Sequence, residues 1–383
     1  MLHVVLGACV VYSAICLALL LINLLALPRL SRATPADAGA PFLSIVVPAR
    51  NEERAVAAAV RSLLEQDYSS FEVIVVDDRS TDRTLEILRG LGSDPRLKVV
   101  SGAEPPEGWL GKPHALFEGA RAARGELLLF VDADVRYRSD AVSRAVGELT
   151  AHRADFLALL PRLESESFWE EVLMPNLFCA VFFWPTFLIN SPWPRWLAAG
   201  GGAGNLVRRS AYNAVGGHEA LRASVIDDVR LGFAVKRAGF RTRVVLAHDL
   251  VAVRMYRGFR EIWDGFTKNI AYACSGWLGA GVLALSLLWT VVAIVPPAAL
   301  LAAAAAAGVA PGDVLRAGVS FVLLIAARAI LAGALGEKLW PSVTHPLMAA
   351  VWAGLMARSL YHRVVRRSLV WRGRAFDARK AGF

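Results

Sequence analysis

The chain has 383 residues, 56% of them apolar, with a formal net charge of +9 and a pI near 9.7. Its length admits either one sizeable soluble domain with membrane helices or two ordinary domains, and the apolar fraction with a mean hydropathy of +0.45 favours the first. The charge is no argument for nucleic acid, because membrane proteins concentrate Lys and Arg on cytoplasmic loops, and no nucleic-acid partner is expected.

Only six of the 42 basic residues are lysines, an arginine excess that a GC-rich genome explains. The four cysteines, Cys9, Cys16, Cys179 and Cys274, lie in apolar surroundings without ligand spacing, so neither a disulfide framework nor a zinc site is expected.

The first element is the apolar stretch 2–27, long enough to cross a bilayer and read as a transmembrane anchor over residues 1–28. A secretory signal would place basic residues ahead of a short apolar core, whereas Arg29 and Arg32 follow a long one. Residues 41–272 then read as an α/β domain. A strand at 43–47 stops at Pro48, and a helical pattern follows through Val56, Val60, Leu63 and Leu64. "FEVIVVDDRSTDRT" gives a strand at 71–76, with Ser80 or Thr81 able to cap a helix carrying Leu85, Leu88 and Leu91. A strand at 97–100, a helix at 114–124 and a strand at 127–131 continue the alternation. Continuous apolar strands between amphipathic helices imply a mostly parallel sheet covered on both faces. Such sheets bind ligands outside the carboxyl ends of their strands, where the strand order reverses. Asp77, Asp78, Asp132 and Asp134 are thereby expected at one rim.

After Asp155 the pattern loosens. Residues 168–199 include "VLMPNLFCAVFFWPTFLIN", apolar enough for a span but interrupted by Pro175 and Pro185. A span there would also separate the two halves of the expected site across the bilayer. The segment is read as interfacial, rich in Phe and Trp, and as the entrance for a lipid; the alternative is a core hairpin. Three more membrane stretches, 278–301, 314–335 and 346–365, make up a region of C-terminal transmembrane or interfacial helices over 278–365, followed by a basic tail at 366–383. Arg328 within one of them is costly at mid-bilayer and is expected to find a structural partner in the helix bundle.

The strand "LLLFVDADV" poses the sharpest question: why a buried run should end in two carboxylates one residue apart. Residues two apart on an extended chain project to the same side, so Asp132 and Asp134 are expected to point together into the crevice. Neighbouring carboxylates raise each other's pKa unless a cation lies between them. Mg²⁺ or Mn²⁺, ligated by Asp132 and Asp134 with positions left open for diphosphate oxygens, answers that need. Such a pair also arises by chance or in a turn, so its neighbours decide. Asp77 and Asp78 end another strand, and Lys112, in the loop "GWLGKPHAL", can meet phosphate as a point charge. "VIDDVRLGFAVKRAGF" puts Asp227 and Asp228 at the start of a helix with Leu231, Val235 and Ala238 on its apolar face. A helix N-terminus stabilises a carboxylate, which suits a plain cap or a general base that takes a proton from an acceptor hydroxyl.

In order and spacing, "VVPARNEE", "VVDDRSTDRT", "GWLGKPHAL", "LLLFVDADV", "GGAGNLVRRSAYNAVGGHEALR" and "VIDDVRLGFAVKRAGF" resemble the motifs of family 2 glycosyltransferases with the GT-A fold. With "VRMYRGFREIWDGFTKN" and the membrane stretches, the chain looks closest to the bacterial branch that glycosylates isoprenoid lipids, the carotenoid and hopanoid-associated enzymes. The resemblance spans roughly residues 43–272. It implies an α/β GT-A nucleotide-sugar-binding domain and an inverting transfer of a hexose, glucose by expectation, from a UDP-sugar to a membrane lipid. Pro48, Arg50, Asn51 and Glu52 would line the nucleotide site, and Asp78, or Asp77, would meet the uracil edge. Lys112 would lie near the nucleotide, with Asp132 and Asp134 at the ribose, metal and diphosphate. Asp228 matches the position of the family's base, and Asp227, which joins the nucleotide-sugar set, stands where a glutamate is frequent.

One departure matters. Processive synthases and ceramide glucosyltransferases carry a Q/RxxRW element after the base, whereas "RGFRE" offers Arg257 and Arg260 but Glu261 in place of Trp, with Trp263 two residues late. This weakens a polysaccharide-synthase reading. Arg257, Arg260, Trp263 and Lys268 remain candidates for diphosphate or acceptor contacts, or for a basic face on anionic headgroups. Ceramide-type or polyprenyl-phosphate glycosylation is the alternative that shares the donor site, while a transporter or membrane scaffold leaves the ordered motif set unexplained.

The expected location is the inner membrane, multi-pass, with the catalytic domain cytoplasmic. Three spans after that domain would leave the basic tail outside, against the positive-inside tendency. One of the three stretches is therefore expected to be interfacial or re-entrant, or the 278–308 region, broken at Pro296 and Pro297, to be more than a simple span.

Overall fold

The computed structural model describes residues 1–36, 39, 41–273, 276–305, 308–366, 368–371 and 374–377. Cys274 and residues 367, 372, 373 and 378–383 of the expected basic tail lie outside them. Helix α1 (Leu2–Ala26) comes first. Strands and helices then alternate as β1 (Leu43–Ala49), α2 (Val56–Leu64), β2 (Phe71–Asp77), α3 (Thr84–Gly90), β3 (Leu97–Ser101) and α4 (Gly111–Ala122). Next come β4 (Leu127–Phe130), β5 (Val135–Tyr137), α5 (Ala141–Ala151), β6 (Phe156–Leu160) and β7 (Arg162–Leu163). Two short helices, α6 (Phe168–Leu173) and α7 (Asn176–Phe182), precede β8 (Asn205–Arg208), α8 (Arg209–Ala214), α9 (Gly217–Ala220), α10 (Asp227–Arg237), β9 (Thr242–Leu246) and β10 (Val251–Val253). Four more helices follow: α11 (Gly258–Ala273), α12 (Gly276–Ala304), α13 (Pro311–Leu335) and α14 (His345–Tyr361).

These elements divide into two units, one of which comprises residues 27–164 and 188–255. Its seven-stranded sheet runs β3-β2-β1-β4-β8-β6-β9. Every pairing is parallel except those of β8, which is antiparallel to both β4 and β6. All seven residues of β2 and all four of β4 are buried, the expected consequence of apolar runs without polar alternation. Helix α2 covers the sheet with Val56, Ala59, Val60 and Leu63, the spacing of one helical face. From β1 the chain moves outward through β2 to β3, then returns to lay β4 on the other side of β1. The strand order therefore reverses between β1 and β4, and the loops at their carboxyl ends carry Arg50 and Asn51 on one side and Asp132 on the other.

The region after Asp155 is more regular than its sequence suggests. It supplies β6, β8 and β9 to the main sheet, while β7 and β10 join β5 in a small three-stranded one.

The second unit comprises residues 1–26, 165–187 and 256–383. Three of its described helices are long and apolar enough to cross a membrane, at Leu2–Ala26, Ser286–Ala304 and Pro311–Leu335. The buried residues of α1 are Leu6, Cys9, Ser13, Cys16, Leu20 and Asn23, three or four apart, so one narrow stripe meets the bundle. Ser13 and Ser320 share a hydroxyl hydrogen bond of 3.1 Å between α1 and α13, the kind of small polar contact that joins helices in an apolar medium. Helix α14, in the last of the expected membrane stretches, has 17 residues and runs on into a π-helical turn over His362–Arg366; it is not one of the three helices long and apolar enough to cross. It also carries Arg358, whose guanidinium bonds Asp264 of α11 at 2.9 Å.

Arg328 does have a partner in the bundle, the Sγ of Cys179 at 3.4 Å. The expected interfacial segment is helical rather than a hairpin, its two short helices separated at Pro175. The Nδ2 of Asn23 donates to the carbonyls of Phe182 and Trp184, both at 2.7 Å, and ties the end of α7 to α1.

Candidate functional site

The rim begins where β1 and β2 end. Asp78 N–H donates to the carbonyl of Ala49 at 2.8 Å, so the two strand ends leave the sheet together. Asn51 adopts a positive φ of 53°, a conformation Asn tolerates better than most residues. Its amide N–H donates to Ser80 Oγ at 3.0 Å, and its Oδ1 accepts from Thr81 N at 2.8 Å. Glu52 N donates to Thr84 Oγ1 at 2.8 Å. "ARNEE" and "DDRSTDRT" are thus one interlocked loop pair.

Asp77 is buried, with its Oδ2 accepting from Ser80 N at 3.2 Å. Asp78, also buried, lies between the guanidinium groups of Arg50 at 3.7 Å and Arg79 at 3.6 Å. The two aspartates therefore play different parts, since Asp77 shapes the turn and Asp78 pairs with the flanking guanidinium groups at the rim. Neither Ser80 nor Thr81 caps α3, which starts after Arg83 without a side-chain cap; Asp82 Oδ1 accepts from Thr84 N at 3.0 Å in the turn before it. Pro48 pairs in register with Val76 of β2, and β4 pairs with β1 over Leu43 to Val46 only. Pro48 thus lies beyond the β4 ladder, where a missing N–H is tolerated.

The second half of the rim gathers around Lys112. This residue lies in the first turn of α4 rather than in the preceding loop, because Pro113 is well suited to a helix start, where its missing N–H has no helical partner to lose. Lys112 Nζ meets Asp132 Oδ1 at 2.7 Å. Its partial burial works against the charge, but the carboxylates of Asp132, Asp227 and Asp228 outweigh that and hold the ammonium well above the usual lysine range. Four of the expected site residues therefore share one electrostatic centre.

Asp132 and Asp134 lie past the end of β4, with Ala133 and Asp134 in a turn. The alternation of an extended strand, from which their common direction is expected, is consequently not what aims these two side chains. The Asp132 backbone is fixed instead by its N–H donating to Gly202 O at 2.7 Å. A Cβ on Gly202 would collide with the Asp132 carboxylate, so only glycine lets the two approach.

Asp227 and Asp228 open α10. Asp228 is part-exposed, its Oδ1 accepting from Val229 N at 2.8 Å and its carbonyl accepting from Asn205 Nδ2 at 3.0 Å. Asn205 Oδ1 in turn accepts from Gly201 N at 3.1 Å, so β8 and the glycine run before it set the position of α10. Asp227 is 1% exposed, and neither carboxylate oxygen has a hydrogen-bond partner. Burial pushes its carboxyl well above the ordinary range, with Lys112 opposing the shift and Asp228 and Asp132 adding to it.

His218 stands behind Asp227, its Nε2 3.8 Å from Asp227 Oδ2. The Tyr212 hydroxyl accepts from the His218 backbone N–H at 3.0 Å and lies 2.9 Å from Nδ1. A hydroxyl that already accepts is free to donate to Nδ1, which puts the ring proton on Nε2, facing Asp227. The ring packs edge-on against Phe130 at 4.6 Å. Burial, then the Lys112 charge, lowers the His218 pKa to about 3, so the imidazole is neutral at physiological pH. The sequence assigns no individual role to Tyr212, His218, Asn205 or Gly202, although all four lie within the motif "GGAGNLVRRSAYNAVGGHEALR".

Arg257, Arg260, Trp263 and Lys268 belong to the other unit, at and on α11. Arg257 N donates to Glu261 Oε2 at 2.8 Å, and both Arg257 and Arg260 are exposed. Trp263 stacks on Phe259 at 5.4 Å and lies under Arg358 at 5.8 Å. Glu261, the departure from the Trp of the Q/RxxRW element, therefore serves the start of α11.

The chain matches glycosyl transferase family 2 over residues 44–216. A 4,4'-diaponeurosporenoate glycosyltransferase of Staphylococcus aureus (strain MRSA252) is 26% identical over 348 residues, covering 88% of this chain and 89% of that one. The protein of the same name in strain USA300 is 30% identical over 243 residues, covering 61% and 62%. Among solved structures, a mannosyltransferase from Pyrobaculum calidifontis in complex with GDP-Man and Mn²⁺ shares the fold with a TM-score of 0.58, at 22% identity, over 96% of this chain and 100% of that one.

Proposed function

We propose that the chain is a family 2 glycosyltransferase of the carotenoid-type branch, supported by its match over residues 44–216 and its similarity to the S. aureus relatives, and that it transfers glucose from a UDP-sugar, with inversion, to an isoprenoid membrane lipid of carotenoid or hopanoid type. It is a hexosyltransferase whose α/β domain has the GT-A fold, flanked by apolar helices. The observation that carries the donor assignment is the meeting of Lys112 with Asp132, Asp227 and Asp228 at one end of the sheet, next to the Arg50–Asp78 rim. A cation ringed by carboxylates at a strand-order reversal is suited to a ligand that brings both negative phosphates and hydroxyls.

A divalent cation fits this donor set. Among the described residues no cluster of three or more His, Cys, Asp or Glu forms a closed cage, and Asp132 and Asp134 are part-exposed carboxylates. One or two carboxylates with substrate phosphates completing the shell is how Mg²⁺ is usually bound, and Mn²⁺ takes the same oxygen donors. Asp132 and Asp134 would hold the ion, which when bound neutralises charge on the leaving diphosphate. Lys112 adds a fixed positive charge to the same group. Arg50, Asn51, Glu52 and Pro48 line the nucleotide end, with Asp78 offered to the uracil edge and Asp77 shaping the loop that presents it.

Asp228 is the base in this reading, because it is part-exposed while Asp227 is sealed from solvent. It takes the proton of an acceptor hydroxyl as the oxygen attacks the anomeric carbon. A carboxylate acceptor, which the name of the S. aureus relatives describes, is already ionised and needs no base. Arg257, Arg260, Trp263 and Lys268 are assigned to the acceptor side or to lipid headgroups. Residues 168–199 are assigned to the membrane surface.

Three crossings would also remove the expected conflict over the tail. The short connection between the second and third spanning helices, residues 305–310, has no Lys or Arg, whereas Arg29 and Arg32 follow the first and Arg363 and Arg366 follow α14. Two crossings after the catalytic unit return the chain to the side it left, so that unit and the basic tail share one side, the cytoplasmic side of the inner membrane by the positive-inside tendency. Purified protein should bind UDP and release it from UDP-glucose when Mn²⁺ and a lipid extract are present. Absence of both binding and release would overturn the transferase reading.

A further inference from the structure

The donor half of the reaction has its residues, while no side chain described so far receives the acceptor's chain. Within the helical unit, between α1, α7 and α12, lies a cavity of about 300 Å³, at the small end of the roughly 300–1,000 Å³ of ligand sites. Its walls are aromatic. Tyr12 and Phe183 stand 6.5 Å and 5.1 Å from the ring of Trp289, and Trp184 completes the set. Asn176 and Ser286 supply the few polar atoms, and Ala180, at the edge, is exposed.

Two features select the occupant. Tyr12 lies fourteen residues before Ala26 on α1, about 20 Å along the axis at 1.5 Å per residue, which is the depth of a lipid's chain and not of its headgroup. The walls are flat aromatic faces, on which a conjugated chain stacks and a saturated acyl chain does not.

We propose that this cavity holds the conjugated, apolar chain of the acceptor lipid, so that Tyr12, Phe183, Trp184 and Trp289 determine which lipids receive sugar. The inference rests on the lipid-acceptor reading above but is tested separately from it. The probe is parinaric acid, a conjugated polyene carboxylate, added to the full-length protein in saturated-lipid nanodiscs and followed by energy transfer from the indoles. Wild-type protein should bind it saturably, with stearic acid competing poorly.

Ala180→Phe fills the cavity from its exposed edge. It should weaken parinaric acid binding at least tenfold with UDP affinity unchanged. A filled variant that binds UDP and parinaric acid as the wild type does overturns the assignment, as does stearic acid competing as well as parinaric acid, which would make the cavity a berth for bulk lipid. If Ala180→Phe loses UDP binding through misfolding, Ser286→Leu fills the cavity from the facing helix and is read by the same two outcomes. Saturable polyene binding without sugar transfer to any lipid would remove the transferase reading and leave the cavity assignment standing.

Discussion

Replacing Lys112 by Met separates a donor-binding role from a merely structural one. The Lys112 and Asp132 side chains are 37% and 35% exposed, so solvent screens their 2.7 Å contact and its direct contribution to stability is about 0–1 kcal/mol. The melting temperature of Lys112→Met should therefore move by only a few degrees, since about 1 kcal/mol is worth roughly 2–4 °C in a domain of this size. Catalysis should suffer more. A hydrogen bond from a charged group contributes about 1.5–3 kcal/mol, and at about 1.4 kcal/mol per factor of ten, loss of the ammonium from the diphosphate predicts a roughly 10- to 100-fold fall in kcat/KM for UDP-glucose. The assay is initial-rate UDP release at varied UDP-glucose, paired with a thermal melt of the same preparation. A kcat/KM within twofold of wild type would refute the reasoning. So would a collapse of the melting transition, which would mean that Lys112 holds the fold rather than the donor.

Asp228→Asn should lower kcat with a hydroxyl acceptor by about 10²–10⁴, the range of general-base catalysis. It should leave transfer to a carboxylate acceptor within a few-fold, and full turnover with the hydroxyl acceptor would refute the base assignment. Tyr212→Phe strips the partner from the buried His218 N–H and Nδ1 and should cost about 1–3 kcal/mol, read as a lowered urea midpoint with unchanged slope. The pH dependence follows from His218, whose folded pKa of about 3 lies below its ordinary 6.5. The unfolded chain binds the proton first, so this residue's contribution is complete above about pH 6.5 and is lost as the pH falls towards 3. Denaturation midpoints across that window should fall less steeply in His218→Phe than in wild type; equal slopes would contradict the buried neutral imidazole.

The first half of the sheet was legible because its strands are uninterrupted apolar runs and its helices keep one apolar face, as Leu43, Ile45, Val46 and Val47 of β1 and Val56, Ala59, Val60 and Leu63 of α2 show. The carboxylates at the rim were legible for the same reason, since polar residues that end a buried strand need an explanation. β8 was not, because it has four residues, "NLVR", between a glycine run and a helix, and it takes its direction from pairing with β4 and β6. Tyr212 and His218 escaped notice because their roles exist only once α8 and α9 fold together beside Phe130 and Asp227. At residues 346–365 composition leaves a crossing and an interfacial helix both open, because it does not show that α14 commits Arg358 to Asp264 of α11. A hydropathy window counts side chains and cannot see that pairing.

The central claim is sugar transfer to an isoprenoid lipid at the Lys112–Asp132–Asp228 centre. Membranes containing the protein, supplied with labelled UDP-glucose and Mn²⁺ and then extracted and examined by mass spectrometry, test it most directly. The extract should contain a labelled isoprenoid whose mass increases by one hexose, absent from membranes carrying Lys112→Met combined with Asp132→Asn. Label in no lipid, or in a lipid without an isoprenoid chain, would contradict it.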